Sequence, residues 1–483
     1  MSSLMPALER YAHLIEDSDD FGEACTTPLS LTGWLNPIKN PDMNWISAAG
    51  GSKLNWNPHS FRIPDSHHPG FWKAFLTGQL IIQEASAMSA VHALPLQKGD
   101  SVLDLCAAPG NKTAQVSAFL GETGMVVSND LHRSRLGVLN GTLDRMGLAN
   151  VLTTTYDARS FPIPEHLFDH VLADVPCTCE GTSRKHLRVL SRDNARERKK
   201  LTRMQEDILH RAIACVKPGG HVLYATCTYS PEENERVVHR VLEGLKPGME
   251  CEVVPIAIPG FKMRPGLTSW EGEQFDAQLR RTSRIWPQDN DTGGFYLALL
   301  KRQGSSPSYD PSERSPSPEG FIPLRSQDAP WNLYGFADDD LAPFGTITGG
   351  RKYSRLLTTG CRLDPKTQYE TVGMTGLNLK SHSPRFSTPL ALKLGHLATS
   401  GLAHIKTEAI WDYFSHNPEL THVNTCSSEL SIVTNGECAL GLGRCIGDQS
   451  KLESFFPRVW GGIQVVPKLI ALREKGLLST ESE

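Results

Sequence analysis

Residues 101–130 read SVLDLCAAPGNKTAQVSAFLGETGMVVSND: a short β-rich run, a loop bent by Pro109 and Gly110, a helical segment and a second β-rich run. Strand, helix and strand in that order predict a parallel sheet with helices on its faces. The pattern persists outward from this stretch. NVLTTTY, HVLADV and HVLYAT are further short apolar runs with helical segments such as RMQEDILHRAIACV between them, and GGFYLALLKR adds an edge strand that ends near residue 301. The expected fold class is α/β, with a Rossmann-like sheet over residues 99–302.

The loop after the first strand opens a helix, so its backbone N–H groups can approach a ligand at the positive end of that helix. It lacks the G-x-G-x-x-G spacing of dinucleotide binders, and no P-loop for a triphosphate is present. Asp130 closes the second strand twenty residues after Gly110, where a doubly wound fold places the carboxylate that holds ribose hydroxyls. Asp157 follows the third strand and Asp174 the fourth. Aspartate is common after strands, so any one of these says little. In series behind this loop they predict a nucleoside pocket, and the adenosine of S-adenosylmethionine fits it best.

Two cysteine loops complete the sheet edge. LADVPCTCEGTSRK (172–185) and YATCTYSPEEN (224–234) each read as a buried strand ending in a polar loop, with Cys177 and Cys227 at equivalent points. Open α/β sheets bind ligands at the C-terminal ends of their strands, so both thiols are expected to face one substrate. SPEE behind Cys227 reads as a capping box, with Ser230 as N-cap, Pro231 in the first turn and Glu233 reaching back. Such a helix start favours a thiolate, while the adjacent glutamates oppose it. Cys25, Cys106, Cys215, Cys251, Cys361, Cys426, Cys438 and Cys445 are expected as packing residues. Cys177 and Cys179 sit two apart, but no C-x-x-C or matched histidine pair completes a four-ligand zinc set, so no metal is expected.

Together DLCAAPGNKT, DVPCTCEGTSRK and YATCTYSPEENE resemble the motifs of the Nop/Sun (RsmB/Nop/Sun) family of S-adenosylmethionine-dependent RNA 5-methylcytosine methyltransferases. The likeness spans residues 78–302. TGQLIIQEASAM is similar to the helix that leads into the family's catalytic domain, and PGFKMRPGLTSW with DTGGFYLALLKR is similar to its transfer-RNA methylating branch. The resemblance implies a class I methyltransferase sheet and a reason for two thiols. Carbon 5 of cytosine is too weak a nucleophile to take a methyl group directly, so a thiolate first adds at carbon 6. By resemblance Cys227 is that nucleophile, and Cys177 helps to expel the enzyme after transfer. Asp174 is placed to hydrogen-bond the base near N3, and Lys112 supports the site from the loop. The implied cofactor residues are Cys106, Ala107, Ala108, Pro109, Gly110, Lys112, Asp130, Arg135, Asp157 and Asp174. Cys179 departs from the family, which more often has glycine or another small residue there, and adds a third thiol near the site.

The 483 residues suggest two or three domains. Apolar content of 39% and charge of 21% are those of a soluble globular protein, and no stretch reaches the roughly 18 apolar residues of a membrane span. The acidic turn after the first residues is unlike a signal peptide, and eleven unevenly spaced cysteines argue for reduced thiols. The expected compartment is cytoplasmic, or nuclear in a eukaryote. A net charge of −4 gives no global attraction to nucleic acid, so RNA must be held locally. The candidate is SRKHLRVLSRDNARERKKLTR (183–203), with nine Lys or Arg against two acids directly after the Cys177 loop.

The expected organisation is an N-terminal RNA-contacting domain over 1–98, with a helix over about 80–94, then the catalytic domain over 99–302. A Ser/Pro-rich linker follows over 303–342, and a β-rich module over 343–483 whose glycine spacing and NG turn resemble a PUA-like RNA-binding barrel. RNA is the expected partner of a monomeric chain, transfer RNA being favoured by the branch resemblance and ribosomal RNA the alternative, with no membrane involved. Two rival readings remain. A DNA cytosine-5 methyltransferase would use Cys177 as nucleophile, but its Glu-Asn-Val signature is missing here. A non-catalytic RNA-binding or assembly factor would not need the intact loop and both cysteines.

Overall fold

The computed structural model describes residues 9–11, 13–15, 17–39, 41, 46–47, 50–63, 69–192, 195–304, 318–348, 352–380, 384–417, 423–426, 430–446, 451–460 and 463–474. Its centre is one sheet built from β1 (Ser101–Asp104), β2 (Met125–Asn129), β3 (Val151–Thr154), β4 (Phe168–Asp174), β5 (Val216–Thr226), β6 (Cys251–Val254), β7 (Arg264–Pro265), β8 (Ser283–Ile285), β9 (Phe295–Arg302) and β10 (Thr371–Val372). The strand order is β7-β8-β9-β5-β4-β1-β2-β3-β10, with β6 also paired to β9. β3, β2, β1, β4 and β5 run parallel. β9 lies antiparallel beside β5, with Leu297 opposite Ala225. The Rossmann-like sheet expected from the strand–helix alternation is therefore present.

Helices α1 (Ala85–Ala93), α2 (Asn111–Leu120), α3 (Arg133–Met146), α4 (Ala195–Cys215) and α5 (Glu235–Glu243) cover the sheet. Alternate strand residues go to opposite faces: Val102 and Val126 join Val116 of α2 and Leu139 of α3, while Leu103 and Val127 join Leu209 of α4 and Val238 of α5. Burial on both faces explains why these strands read as continuous apolar runs. Among the described residues no helix is long and apolar enough to cross a membrane.

The N-terminal region is more regular than its sequence suggests. Leu31–Leu35, Ser52–Leu54, Asn57–Ile63 and Leu80–Ile82 form a four-stranded antiparallel sheet. The helix expected from about residue 80 consequently starts later. Ile82 pairs with Gly33, and the carboxylate of Glu84 then caps α1 by accepting the N–H groups of Ser86 and Ala87.

The expected linker over 303–342 is too long at its C-terminal end. Residues 305–317 lie outside the described set, but Ile322–Pro323 already pairs with Phe344–Thr348, and Trp331, Tyr334 and Phe336 are buried with Phe386 and Leu390. Apolar aromatics, diluted by the Asp and Pro around them, hid this start. The C-terminal strands form a four-stranded and a five-stranded sheet. Within the second, Ser431–Thr434 and Ala439–Ile446 pair antiparallel on either side of Asn435 and Gly436, as the NG turn predicts. The region is also joined to the catalytic domain: β10 pairs with β3, and Leu357 and Cys361 enter the core of the central sheet.

Candidate active site

The parallel pairing of β4 and β5 sets Asp174 opposite Ala225, so the loops that follow them emerge side by side. Cys177 and Cys227 then stand with their sulfurs 3.4 Å apart, and the next residues, Thr178 and Thr228, with hydroxyls 2.8 Å apart. Two backbone bonds weld the loops, from Gly181 N–H to the carbonyl of Cys227 and from Gly294 N–H to the carbonyl of Gly181, each 2.9 Å. A side chain at 181 would not fit: its Cβ would lie 2.2 Å from the Gly294 oxygen and 2.9 Å from that of Cys227.

The loops rest on buried carboxylates. Glu233 does not cap a helix: it accepts the Thr178 N–H at 3.0 Å, the Thr178 hydroxyl at 2.6 Å and Gln205 Nε2 at 2.9 Å. Ser230 instead donates to Glu232, and α5 starts only at Glu235. The capping-box expectation thus fails because Glu233 is drawn under the neighbouring cysteine loop. Glu180 accepts from Thr228 at 2.9 Å and from the hydroxyl of Tyr11, which reaches in from the N-terminal segment. Burial raises the Glu233 carboxyl to about 7, against the hydrogen bonds that lower it.

In front of the loops lies a cleft whose lining includes Cys106, Ala107, Ala108, Pro109, Lys112, Asp174 and Cys227. Lys112 Nζ donates to Asp174 Oδ2 at 2.6 Å. Burial works to lower the Lys112 ammonium, but the Asp174 charge outweighs it and the net shift is upward. Gly110, not itself in the lining, holds the left-handed φ of 103° from which α2 starts. Asp130 and Arg135 brace the loop from behind: Asp130 Oδ2 accepts the Ala108 N–H at 3.3 Å, and Arg135 donates to the Ala108 carbonyl at 2.7 Å and to Asp130 at 3.0 Å. Asp157 stands apart, with its carboxylate held by Arg159 and by the Arg159 N–H.

The cleft also contains residues that lie within the sequence motifs but to which sequence alone assigns no site role, among them Glu84, Asp104 and Phe295. Asp104 closes β1 and is 2% exposed. Its Oδ2 accepts from Thr113 at 2.7 Å, whereas Oδ1 has no protein partner. Desolvation raises this carboxyl to about 7, so a cationic ligand in the cleft would be well matched to it. The methionyl ammonium and sulfonium of S-adenosylmethionine carry such charge, and the donor set therefore fits that cofactor. The position of Asp104 at a strand end, one strand before Asp130, was the signal that could have marked it.

Both thiols carry pKa values well above the ordinary range. For Cys177 the causes are hydrogen bonds with Cys179 and Cys227, then burial; for Cys227 the bond from Cys177 lowers it, but Cys179, burial and the Asp174 charge prevail. Hence the resting site holds protonated sulfur. Among the described residues nine cysteines are free thiols, with Cys25, Cys215 and Cys361 buried as expected, while Cys445 is disulfide-bonded and departs from the packing reading. The side chain of Cys426 lies outside the described residues.

The basic stretch after the Cys177 loop divides into two parts. Arg184 is a structural clamp, donating to the carbonyls of Thr27, Pro28 and Thr292 and to Asp291, and Arg198 is buried near Glu232. Lys185, Lys199, Lys200 and Arg203 remain exposed.

A sequence model of the 16S rRNA methyltransferase RsmB/F family matches residues 91–301. The tRNA (cytosine(49)-C(5))-methyltransferase of Pyrococcus abyssi is 31% identical, covering 61% of this chain and 95% of its own. Ribosomal RNA small subunit methyltransferase F of Aeromonas salmonicida is 27% identical and aligns over 95% of both chains. The crystal structure of a methyltransferase homologue from Pyrococcus horikoshii superposes with a TM-score of 0.53 at 25% identity, covering 62% of this chain and 99% of that one.

Proposed function

From the premise that this chain belongs to the RsmB/Nop/Sun family of S-adenosylmethionine-dependent RNA cytosine-C5 methyltransferases, we propose how its residues divide the work. S-adenosylmethionine, when bound, supplies the electrophilic methyl group. Of the two loop cysteines, Cys227 is the one that lines the cleft with Asp174 and Lys112, and it is the group we assign to carbon 6 of cytosine. Its sulfur bond to carbon 6 pushes electron density onto carbon 5, where the methyl group is accepted. Asp174 holds the ring near N3, and Lys112 fixes the orientation of that carboxylate.

Product release requires that carbon 5 lose its proton while the sulfur–carbon 6 bond breaks and the ring double bond re-forms. Cys227 gives up its thiol proton to solvent as its sulfur bonds to carbon 6, and Cys177, once its own thiol proton has passed to solvent, is the base we assign to the carbon 5 proton. The observation that carries this reading is the 3.4 Å sulfur–sulfur separation, which puts a second thiol beside the first without placing it in the cleft lining. The high pKa values of both thiols support a base-poor resting site in which attack waits for substrate.

We take small-subunit ribosomal RNA as the first substrate to test, ahead of the transfer RNA that the branch resemblance favours, because the relative of that name aligns over 95% of this chain and so extends well beyond the catalytic domain. Transfer RNA is the second reading, favoured by the likeness of the catalytic part to the archaeal enzyme. In either case the exposed Lys185, Lys199, Lys200 and Arg203 and a PUA-like C-terminal region would hold RNA phosphates. Labelled methyl transfer to purified ribosomal RNA, transfer RNA and duplex DNA, followed by bisulfite sequencing, tests the assignment. Label confined to DNA would overturn it.

A further inference from the structure

We propose that Cys177, Cys179 and Cys227 together form a three-thiolate site for a thiophilic divalent cation such as zinc, and that its occupancy reversibly blocks the enzyme. The blocking rests on the reading of Cys227 as nucleophile; the binding does not.

The three sulfurs all lie within 4.8 Å of one another. Cys177 is 3.4 Å from Cys227 and 3.9 Å from Cys179. Tetrahedral zinc with Zn–S bonds of about 2.3 Å needs sulfurs about 3.8 Å apart, so the cluster requires shifts of only a few tenths of an ångström at those two pairs. Spacing within the sequence could not reveal this set, because its third member comes from the neighbouring strand end. The frame is already rigid. The two loops are joined through Gly181 and Cys227 and through the threonine hydroxyls, and no loop closure is left to organise the ligands.

Cys179 supplies a second, independent observation. Its backbone has a φ of 62°, a left-handed conformation that suits glycine and strains a residue with a Cβ. A thiol retained there faces Cys177, with Sγ also 3.3 Å from the Cys177 carbonyl oxygen. The three cysteines are only partly buried, and Cys227 opens onto the cleft, which gives an ion a route in and leaves its fourth position to water. Binding involves no redox change. Each thiol releases its proton to solvent as its metal–sulfur bond forms, and a chelator reverses the process.

Cobalt(II) titration of the reduced full-length chain, read by thiolate-to-metal charge-transfer and tetrahedral ligand-field absorption, tests binding without any methyl transfer. One equivalent is expected to bind, and Cys179→Gly, which keeps the favoured backbone, is expected to lose roughly tenfold or more in affinity. Zinc is then expected to inhibit methyl transfer by the unmodified protein, with recovery in EDTA, while Cys179→Gly, read against its own metal-free rate, needs roughly tenfold more zinc for the same fractional inhibition. Absence of thiolate–cobalt bands, or equal titrations for the two proteins, would overturn the site. Bands that vanish in Cys179→Gly alongside equal zinc inhibition of both proteins would overturn the block alone.

Discussion

The sulfur of Cys177 lies 3.4 Å from that of Cys227, because two adjacent parallel strands end in matched register. Asp174 and Ala225 are opposite one another, and the chain has three residues to travel on one strand and two on the other before each cysteine. The threonines that follow meet in the same way, and each is anchored to its own buried glutamate. The pair is thus a property of the sheet, stiffened from beneath.

If that stiffening matters, Gly181→Ala should damage the site without touching either thiol. The new Cβ would lie 2.2 Å from the Gly294 oxygen, a backbone atom that cannot rotate away. We expect a loss of stability of about 1–3 kcal/mol and a larger loss of methyl transfer than of cofactor binding. Urea titration and single-turnover transfer measure the two.

Asp174→Asn should leave the Lys112 ammonium without its anionic partner and the base without its anchor. The expected fall in single-turnover rate is about 10²–10³-fold, the scale of losing one charged transition-state contact. A rate within a few-fold of the unmodified protein would remove Asp174 from the mechanism.

The pH dependence of stability follows from Glu233. Its folded carboxyl titrates at about 7 against an ordinary 4.5, so the folded state binds more protons between these values. Stability is then highest below the lower value, falls as pH rises, and levels off above about pH 7, with a total change on the order of 3 kcal/mol. Asp104, raised to about 7, slopes the same way. Urea midpoints at pH 5 and pH 8 should differ in the unmodified protein, and Glu233→Gln should reduce the difference.

Arg284 and Glu235 form a buried ion pair at 2.5 Å, and Arg284 also donates to the Tyr229 carbonyl at 2.9 Å. Glu235→Ala leaves an unpaired buried guanidinium and should destabilise the chain by about 3–5 kcal/mol, read as a lowered urea midpoint.

Much of this site is legible in the sequence for a physical reason. A parallel sheet buries both faces of its strands, so β1 to β5 appear as apolar runs, and loops at their C-terminal ends collect Cys177, Cys227 and Asp174 at one edge. What could not be read depends on partners distant in the chain. Glu233 looks like a capping residue locally, yet it turns to Thr178, and Glu180 is met by Tyr11. Leu80–Ile82 has apolar residues at spacing compatible with helix or strand, and only pairing with Leu31–Leu35 decides it. The two residues of β10 carry no signal of their own before they meet β3. Asp104 opens DLCAAPGNKT, but sequence alone assigns it no role of its own, because burial at the end of β1 and an oxygen without a protein partner appear only in the folded chain.

The division of labour between the two thiols is tested most directly by trapping. Cys177→Ala and Cys227→Ala, each incubated with substrate RNA and S-adenosylmethionine, are run on denaturing gels that retain covalent protein–RNA bonds. The Cys177 variant should accumulate the adduct and turn over poorly, and the Cys227 variant should form neither adduct nor product. Normal product release by the Cys177 variant, or an adduct on the Cys227 variant, would contradict the account.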